Sequence, residues 1–337
     1  MDQVTVVIPT RDRKGLLLRT LRSVLAQQGV EVTVVVVDDG SSDGTPAAIA
    51  ALGDDRVRVI GNPGRGVARA RNTGLAAAET PWVAFLDDDD IWSPQKLRAQ
   101  LDALAATPGA EWACTGAAGI DDRSRVIFWS APPREPDLAA GLLSWNMIPA
   151  SGSAVLASRG LADRLGGFDE TLSHLADWDF CTRLALAAPA AAVSRPHVGY
   201  YIHGSGMSRD VSALEAEYRA IREKFADERR NRGVSLDTDV WVNYIGSLAY
   251  RSRRRALGTR LHWRLLVRRR RLRSLFVIAA HLVPVDIRSM RYWIAQRKAP
   301  PGWSAEAAEW LAEYAKRAPD GFADVAQDSG GVERRPA

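Results

Sequence analysis

The chain has 337 residues, of which 46% are hydrophobic and 25% are charged, a composition typical of a globular protein with a substantial core. Its two cysteines, Cys114 and Cys181, lie far apart and match no metal-ligand spacing, so we predict that both are reduced core residues of a cytosolic protein. No apolar stretch approaches the roughly 20 residues that span a bilayer, and the start MDQVTVVIPT does not fit the basic segment of a signal peptide.

The net charge of +5 conceals an asymmetry along the chain. Residues 251–273 contain eleven arginines and no acidic residue. Without those eleven charges the net charge becomes −6, so a mildly acidic protein carries one basic segment. Charge alone would allow nucleic-acid binding, but no reader motif accompanies the arginines, and we do not expect nucleic acid as a partner.

The first third alternates β-branched runs with helical segments, as in a mainly parallel α/β sheet. The predicted strands are 4–8, 32–37, 56–60 and 82–86, and the predicted helices are 14–28, 45–52, 66–78 and 93–105. We expect Ser93 to cap the last of these helices, with Pro94 at its first position.

The middle of the chain is less regular, and its end is helical. We predict strands at 111–115, 126–129, 153–157 and 197–203, and helices at 137–144 and 177–188. From residue 212 to about 316 the pattern is helical and rich in arginine and tryptophan, and the final twenty residues have the composition of a disordered tail.

Polar groups of one kind follow three of the predicted strands. The first strand ends in Pro9-Thr10-Arg11, the second in VVVVDDGSSDGT, and the fourth in four consecutive aspartates, 87–90. Since ligands of open α/β sheets bind at the carboxyl ends of the strands, these groups should meet in one crevice. Carboxylates with nearby arginines suit a phosphorylated ligand and a divalent cation such as magnesium or manganese. A lone DDG or DDDD is usually a turn or a solvated loop; the ordered recurrence is what indicates a site.

Competing nucleotide and metal motifs are absent from the sequence. It contains no G-x-x-x-x-G-K-[ST] loop, H-E-x-x-H pair or EF-hand loop. Gly64-Arg65-Gly66 is followed by Arg69 where a dinucleotide fingerprint needs its third glycine.

Six segments carry a family resemblance: VVIPTRDR, VVVDDGSSDGT, GVARARNTGL, FLDDDDIWSP, GGFDE and DWDFCTRL. Over residues 3–205 the sequence resembles the family 2 glycosyltransferases, in the order and at the spacing of that family. The resemblance implies the GT-A fold, a Rossmann-like, nucleotide-sugar-binding, mixed and mainly parallel sheet flanked by helices. We expect this domain at 1–208, with a donor half at about 1–110 and an acceptor half at about 111–208. An α-helical, arginine-rich extension follows at 209–317, and a disordered tail at 318–337.

The resemblance also assigns a donor site. It implies that Asp39 accepts a hydrogen bond from a pyrimidine base and that Arg71 helps to hold the base or the diphosphate. Residues 9–11 would shape the base and ribose pocket, and Asp87 would face the ribose. The implied donor-binding set is Pro9, Thr10, Arg11, Asp39, Arg65, Arg71, Asp87 and Asp88.

By the same resemblance, Asp87-Asp88-Asp89 matches the D-x-D motif. Asp89 would hold Mn²⁺ or Mg²⁺ against the donor diphosphate, and His203 would be a further metal ligand, with Asp90 behind them. A histidine at such a position is otherwise a structural or exposed residue.

Inverting transfer needs a general base on the acceptor side, and a carboxylate can serve. The candidate is Asp177, the first residue of DWDFCTRL, where the family usually shows the pair Glu-Asp. Here Ala176 stands first in that pair, so Asp179 remains an alternative, as does a purely capping role for Asp177. The expected acceptor or sugar pocket consists of Ser151, Gly152, Gly167, Phe168 and Trp178.

The predicted function is metal-dependent, inverting transfer of a sugar from a UDP- or dTDP-sugar to a saccharide or lipid-linked acceptor, in polysaccharide or glycolipid synthesis. One alternative is a catalytically inactive scaffold or sensor that binds nucleotide-sugars. Another is a nucleotidyltransferase, although IPTRDRKG does not resemble the glycine- and lysine-rich loop of that class.

The basic segment and the apolar run behind it, residues 251–284, are typical of a helix in a membrane interface. Anionic headgroups would attract such a segment, and a lipid-linked acceptor would explain its presence. The alternatives are a solvated helical extension and a homo-oligomer contact. We therefore expect a cytoplasmic protein that can bind the inner face of the cell membrane.

Overall fold

The computed structural model describes residues 1–133, 138–202, 210–251, 254–269 and 298–315, with the single positions 274, 277, 278 and 295. The expected metal ligand His203 and the expected disordered tail at 318–337 lie outside these residues. So does most of the predicted membrane-binding segment beyond residue 269.

Residues 1–110 form the parallel part of one sheet. Its strands are β1 (Gln3–Thr10), β2 (Glu31–Asp38), β3 (Val57–Gly61) and β4 (Trp82–Phe85), in the spatial order β3-β2-β1-β4. The helices between and after them are α1 (Lys14–Leu25), α2 (Thr45–Ala50), α3 (Val67–Ala76) and α4 (Lys96–Ala106). Residues 4–8 and 34–37 are buried, as expected for strands covered by helices on both faces.

Beyond β4 the sheet becomes mixed. It continues through β5 (Ile91–Trp92), β6 (Trp112–Ile120), β7 (Val126–Ser130), β8 (Val155–Ser158) and β9 (Ala190–Tyr201). The full order is β3-β2-β1-β4-β8-β6-β9-β5, with β7 paired to β6. β8 is antiparallel to both neighbours, whereas β6 and β9 are parallel. The remaining helices of this region are α5 (Leu138–Ser144), a 3-10 turn at Ser151–Ala154, α6 (Arg159–Arg164) and α7 (Ala176–Ala187). The predicted mixed α/β sheet flanked by helices is confirmed.

Several predicted elements differ in their bounds from those observed; the strand expected at 111–115, for example, continues to Ile120 as β6. Helix α4 begins at Lys96, and Ser93 does not cap it; its hydroxyl instead lies 2.6 Å from Nδ1 of the buried His197. The strand expected at 153–157 starts later, because residues 151–154 form the 3-10 turn. Strand β9 starts at Ala190, earlier than predicted, since pairing with β6 overrides the weak strand preference of its alanines and Pro196.

The helical region comprises α8 (Val211–Lys224), α9 (Ala226–Arg232), α10 (Thr238–Arg251), α11 (Arg255–Arg269) and α12 (Trp303–Ala315). Helices α8 and α10 add Leu214, Tyr218 and Trp241 to the hydrophobic core that also contains the sheet, and both cysteines are buried there. Helix α12 covers the far end of the sheet, where Trp303 packs edge-on against Trp129 at 5.9 Å. None of the described helices has both the length and the apolar character that crossing a membrane requires.

Helix α3 approaches β1 closely at Gly74. A Cβ atom at this position would lie 2.2 Å from Cγ1 of Val7, well inside van der Waals contact. Only glycine therefore allows this helix–strand distance, which places Arg71, one turn earlier on α3, at the carboxyl ends of the strands.

Candidate active site

Arg71 joins the donor side of the crevice to the acceptor side. Its guanidinium donates to Oδ1 of Asp87 and to Oδ1 of Asp177, both at 2.5 Å, and lies 5.1 Å from the centre of the Phe168 ring. Burial alone would lower the pKa of Arg71, but the two carboxylates hold it above its ordinary value. Because its side chain is only 3% exposed, Arg71 is a fixed positive charge between Asp87 at the end of β4 and Asp177 at the start of α7.

Arg13 compensates the next two aspartates. One nitrogen of its guanidinium lies 2.9 Å from Oδ1 of Asp88 and 2.8 Å from Oδ2 of Asp89. Thr10 donates its hydroxyl proton to the other oxygen of Asp88 at 2.8 Å. Burial and the Asp89 carboxylate nevertheless raise the pKa of Asp88 to about 6. Negative charge therefore remains in excess at this end of the crevice.

Asp90 has a structural role, because its carboxylate is buried and hydrogen-bonded to other elements of the protein. It is fully buried and accepts hydrogen bonds from the Ser153 hydroxyl and from the backbone N–H of Tyr201. Burial and the neighbouring carboxylates raise its pKa well above the ordinary value. Asp90 thus ties the end of β4 to the 3-10 turn and to the end of β9.

The two aspartates that follow each other at the end of β2, Asp38 and Asp39, make different contacts. Asp38 accepts a 2.5 Å hydrogen bond from the Ser41 hydroxyl, which closes its own turn. Asp39 instead reaches toward α3, where it accepts from the amide of Asn62 at 2.6 Å and from the backbone N–H of Gly66 at 3.1 Å. Asp39, which the resemblance assigns to binding the pyrimidine base, therefore lies at the start of α3, the helix that carries Arg71.

Asp177 lies in the first turn of α7 and faces the crevice. Its Oδ1 binds Arg71, and within the described residues no hydrogen bond is made to its Oδ2. Asp179, the alternative base, points elsewhere: it is fully buried and pairs with Arg183 and Lys224 at 2.6 Å each. Of the two carboxylates, only Asp177 is placed to contact a ligand in the crevice.

The residues expected to form the sugar pocket divide between the crevice and the core. Gly152 lies against the crevice, because a Cβ there would stand 3.3 Å from Oδ1 of Asp177 and 3.4 Å from Arg71. Trp178, in contrast, is only 1% exposed and donates its indole N–H to the carbonyl of Leu142, so it is a core residue that cannot stack on a sugar. The hydrophobic side of α7 faces inward at this position.

The other expected pocket residues lie around this centre. Ser151 has the positive φ of 43° and accepts from the side-chain amide of Asn146. Phe168 is 3% exposed, and its ring stacks on that of Phe180 with 4.3 Å between the ring centres. The Phe168 ring also packs against the guanidinium of Arg71. Gly167 accepts from Arg183 through its carbonyl.

Of the expected donor-binding residues not yet placed, Pro9 is buried in β1, and Arg11 and Arg65 are exposed at the rim. Sequence reasoning missed Arg13, although it lies in the quoted segment VVIPTRDR. It also missed Glu217 on α8, whose carboxylate contacts the turn before α7. The spacing of these residues gave no signal, since only the fold brings Arg13 to the aspartates and Glu217 to the turn before α7.

The carboxylate oxygens at the crevice suit a divalent cation that binds together with a phosphorylated substrate. Within the residues described, no three His, Cys, Asp or Glu side chains form a group able to hold a metal by themselves. The carboxylates of Asp87 and Asp89 nevertheless supply hard oxygen atoms, and Mg²⁺ is usually held by one or two carboxylates together with substrate phosphates. The set therefore suits a cation completed by a diphosphate.

The mixed sheet, with carboxylates at its strand ends, has the architecture of the GT-A fold. Residues 5–166, just under half of the chain, match the family model "Glycosyl transferase family 2". The chain is 35% identical over 214 residues to the succinoglycan biosynthesis protein ExoO of Rhizobium meliloti (strain 1021), covering 60% of this chain and 61% of that protein.

Another relative is the UDP-Glc:alpha-D-GlcNAc-diphosphoundecaprenol beta-1,3-glucosyltransferase WfgD of Escherichia coli. It is 34% identical over 102 residues, which are 30% of this chain and 40% of WfgD. The chain therefore spans less than two thirds of the length of either relative.

Among solved structures, TarS 1-349 of S. aureus in complex with UDP-GlcNAc has the same fold. The TM-score is 0.51 at 20% sequence identity, over 78% of this chain and 83% of that chain. The GT-A fold predicted from the sequence is thereby confirmed.

Proposed function

We propose that this protein is an inverting, metal-dependent glycosyltransferase that moves a sugar from a UDP- or dTDP-sugar to an acceptor hydroxyl in polysaccharide or glycolipid synthesis. The observation that supports it most is the Arg71 bridge, which holds a donor-side and an acceptor-side carboxylate on one guanidinium. The names of the relatives, which belong to polysaccharide and lipid-linked sugar synthesis, agree with this proposal.

In the proposed reaction the acceptor oxygen attacks the anomeric carbon from the side opposite the diphosphate. The bond from that carbon to the phosphate oxygen breaks, its electron pair leaves with the nucleoside diphosphate, and the acceptor proton passes to Oδ2 of Asp177. Arg71 orients Asp177, because it binds Oδ1 and leaves Oδ2 to accept the proton.

On the donor side, Asp39 and residues 9–11 would bind the base and ribose, and Asp87 would contact the ribose. Asp89 would hold Mn²⁺ or Mg²⁺, which neutralises charge that grows on the departing diphosphate. Arg13 would have to share Asp89 with that cation, since it binds one oxygen of Asp89 in this structure.

Titration calorimetry of nucleotides tests the donor site. We expect one pyrimidine diphosphate, UDP or dTDP, to bind in the presence of manganese, and GDP to bind more weakly. Asp89→Ala should weaken that binding about tenfold or more, since disturbing a metal site typically costs 10- to 100-fold in affinity.

The matched control is Asp55→Ala, which removes an exposed carboxylate far from the D-x-D segment and should leave the affinity unchanged. Metal-independent binding that survives Asp89→Ala would contradict the assigned cation site. Nucleotide binding without any donor turnover would favour the inactive scaffold or sensor.

We further propose that α11 meets an anionic membrane surface. Its inner face buries Leu261 and Leu265, while Trp263 is 56% and Val267 60% exposed. Arg260 and Arg264 are exposed beside them. Exposed apolar side chains flanked by arginines are the arrangement of a helix that lies in a lipid interface.

Vesicle sedimentation tests this surface. The protein should bind phosphatidylglycerol vesicles more than phosphatidylcholine vesicles, and binding should fall with salt. The double change Arg260→Glu and Arg264→Glu should reduce binding more than about tenfold, since each basic residue near the surface contributes about 1 kcal/mol. The charge-matched control is Arg58→Glu with Arg230→Glu, which changes exposed arginines elsewhere. Equal binding by both double variants would exclude α11 as the membrane contact.

A further inference from the structure

One carboxylate of the helical region collects the backbone of the turn that precedes α7. Oε1 of Glu217 accepts from the backbone N–H of Ser173 at 2.9 Å, and Oε2 accepts from those of His174 and Leu175 at 2.8 and 2.9 Å. Nδ1 of His174 lies 3.0 Å from Oε1. The Glu217 side chain is 11% exposed, so these bonds are largely shielded from water.

Helix α7 has no cap of its own at this end. Its N-cap position is Leu175, whose side chain cannot accept a hydrogen bond, and Asp177 follows two residues later. The turn that fixes the direction of Asp177 is therefore held from another helix. Burial would raise the pKa of Glu217, but the hydrogen bonds from His174 and the three N–H groups hold it below its ordinary value.

Two further contacts join α8 to α7 beyond Glu217. The ring of Tyr218 lies 6.1 Å from that of Trp178 in a stacked arrangement, and it stacks on Trp241 of α10 at 3.9 Å. At the end of α8, Nζ of Lys224 lies 2.6 Å from a carboxylate oxygen of Asp179. Helix α8 thus contacts the N-cap residue of α7, Leu175, and the two residues that follow Asp177.

We infer that Glu217 is a positioning residue for the reaction, which sets the turn at 173–175 and thereby the aim of the Asp177 carboxylate. This inference rests on the proposed function. It gives the helical region after residue 208 a part in the chemistry, although that region lies outside the matched segment 5–166. A mutation remote from the reacting atoms can slow a reaction about 100-fold when it displaces a reacting group by a small distance.

The experiment compares Glu217→Ala and Glu217→Gln with the unaltered chain. The probes are UDP release from UDP-glucose and UDP-GlcNAc with manganese, UDP affinity by calorimetry, and amide hydrogen exchange at 173–175. For Glu217→Ala we expect kcat to fall about 10- to 100-fold. The donor KM and the UDP affinity should stay within about twofold, while amide exchange at the turn becomes faster. Glu217→Gln keeps one acceptor oxygen and should recover part of kcat.

Asp210→Ala supplies a control for stability alone. Asp210 caps α8 by accepting from the N–H groups of Ser212 and Ala213, so its loss weakens the same helix and leaves the bonds of Glu217 in place. It should lower the melting temperature and keep kcat. If Asp210→Ala loses kcat as Glu217→Ala does, or if Glu217→Ala retains kcat, the inference is overturned. Absence of turnover in the unaltered chain would overturn the proposed function, and the inference with it.

Discussion

Replacing Asp177 with asparagine is expected to lower the rate of sugar transfer, or of donor hydrolysis, by about 10²- to 10⁴-fold, the usual contribution of a general base. The amide oxygen can still accept from Arg71, so the crevice should keep its shape, but the side chain can no longer take the acceptor proton. UDP affinity should therefore remain within about twofold of the unaltered value. Initial rates together with calorimetry measure both effects.

The surface change Asp102→Asn makes the same chemical replacement on α4, where the carboxylate is 67% exposed, and should leave the rate unchanged. Near-normal turnover in Asp177→Asn would remove Asp177 from the mechanism. Because Asp179 is buried in its pair with Lys224 and Arg183, no second carboxylate of α7 stands ready to replace it.

The second large effect is expected at Arg71. Arg71→Met keeps the length of the side chain but leaves Asp87 and Asp177 without their shared counter-ion. Removing one partner of a buried ion pair costs about 3–5 kcal/mol, and we expect a loss of free energy of unfolding of this order together with the loss of turnover. Urea unfolding followed by circular dichroism measures the first, and donor hydrolysis the second.

Arg71→Lys keeps the variant measurable if the methionine variant does not fold. A lysine retains the charge but cannot reach two carboxylates with a fixed fork, so turnover should fall more than stability. On the same helix, Arg69→Met removes an exposed pair with Glu170 and should cost less than about 1 kcal/mol. Equal losses in Arg69→Met and Arg71→Met would show that the bridge has no special part in the fold.

The sequence predicts the parallel part of the sheet well, because β1 and β2 are apolar runs with polar residues at their ends. It also predicts that Asp87, Asp89 and Asp177 approach one crevice, a placement that the fold brings about. Their roles in binding and catalysis stay predictions. Strand β9 was predicted only in its last part, since its start depends on pairing with β6 and not on local preference.

Other features could not be read from the sequence for physical reasons. Trp178 has the residue type of a sugar-stacking group, and only the orientation of α7 shows that its ring is buried. The contact between Glu217 and the turn at 173–175 joins residues more than 40 positions apart, with no motif at either end. The boundary expected at residue 208 stays a prediction, although α8 and α10 share a core with the sheet.

Gly74 has no side chain with which to bind a ligand, yet it is needed to position the candidate active site. Any larger residue would press on Val7 and push α3 outward, and Arg71 travels with that helix. A mutational screen that scores activity would therefore group position 74 with the aspartates, while a chemical map of the crevice would omit it. The substitutions that this protein tolerates are therefore limited in part by the distance between helix α3 and strand β1.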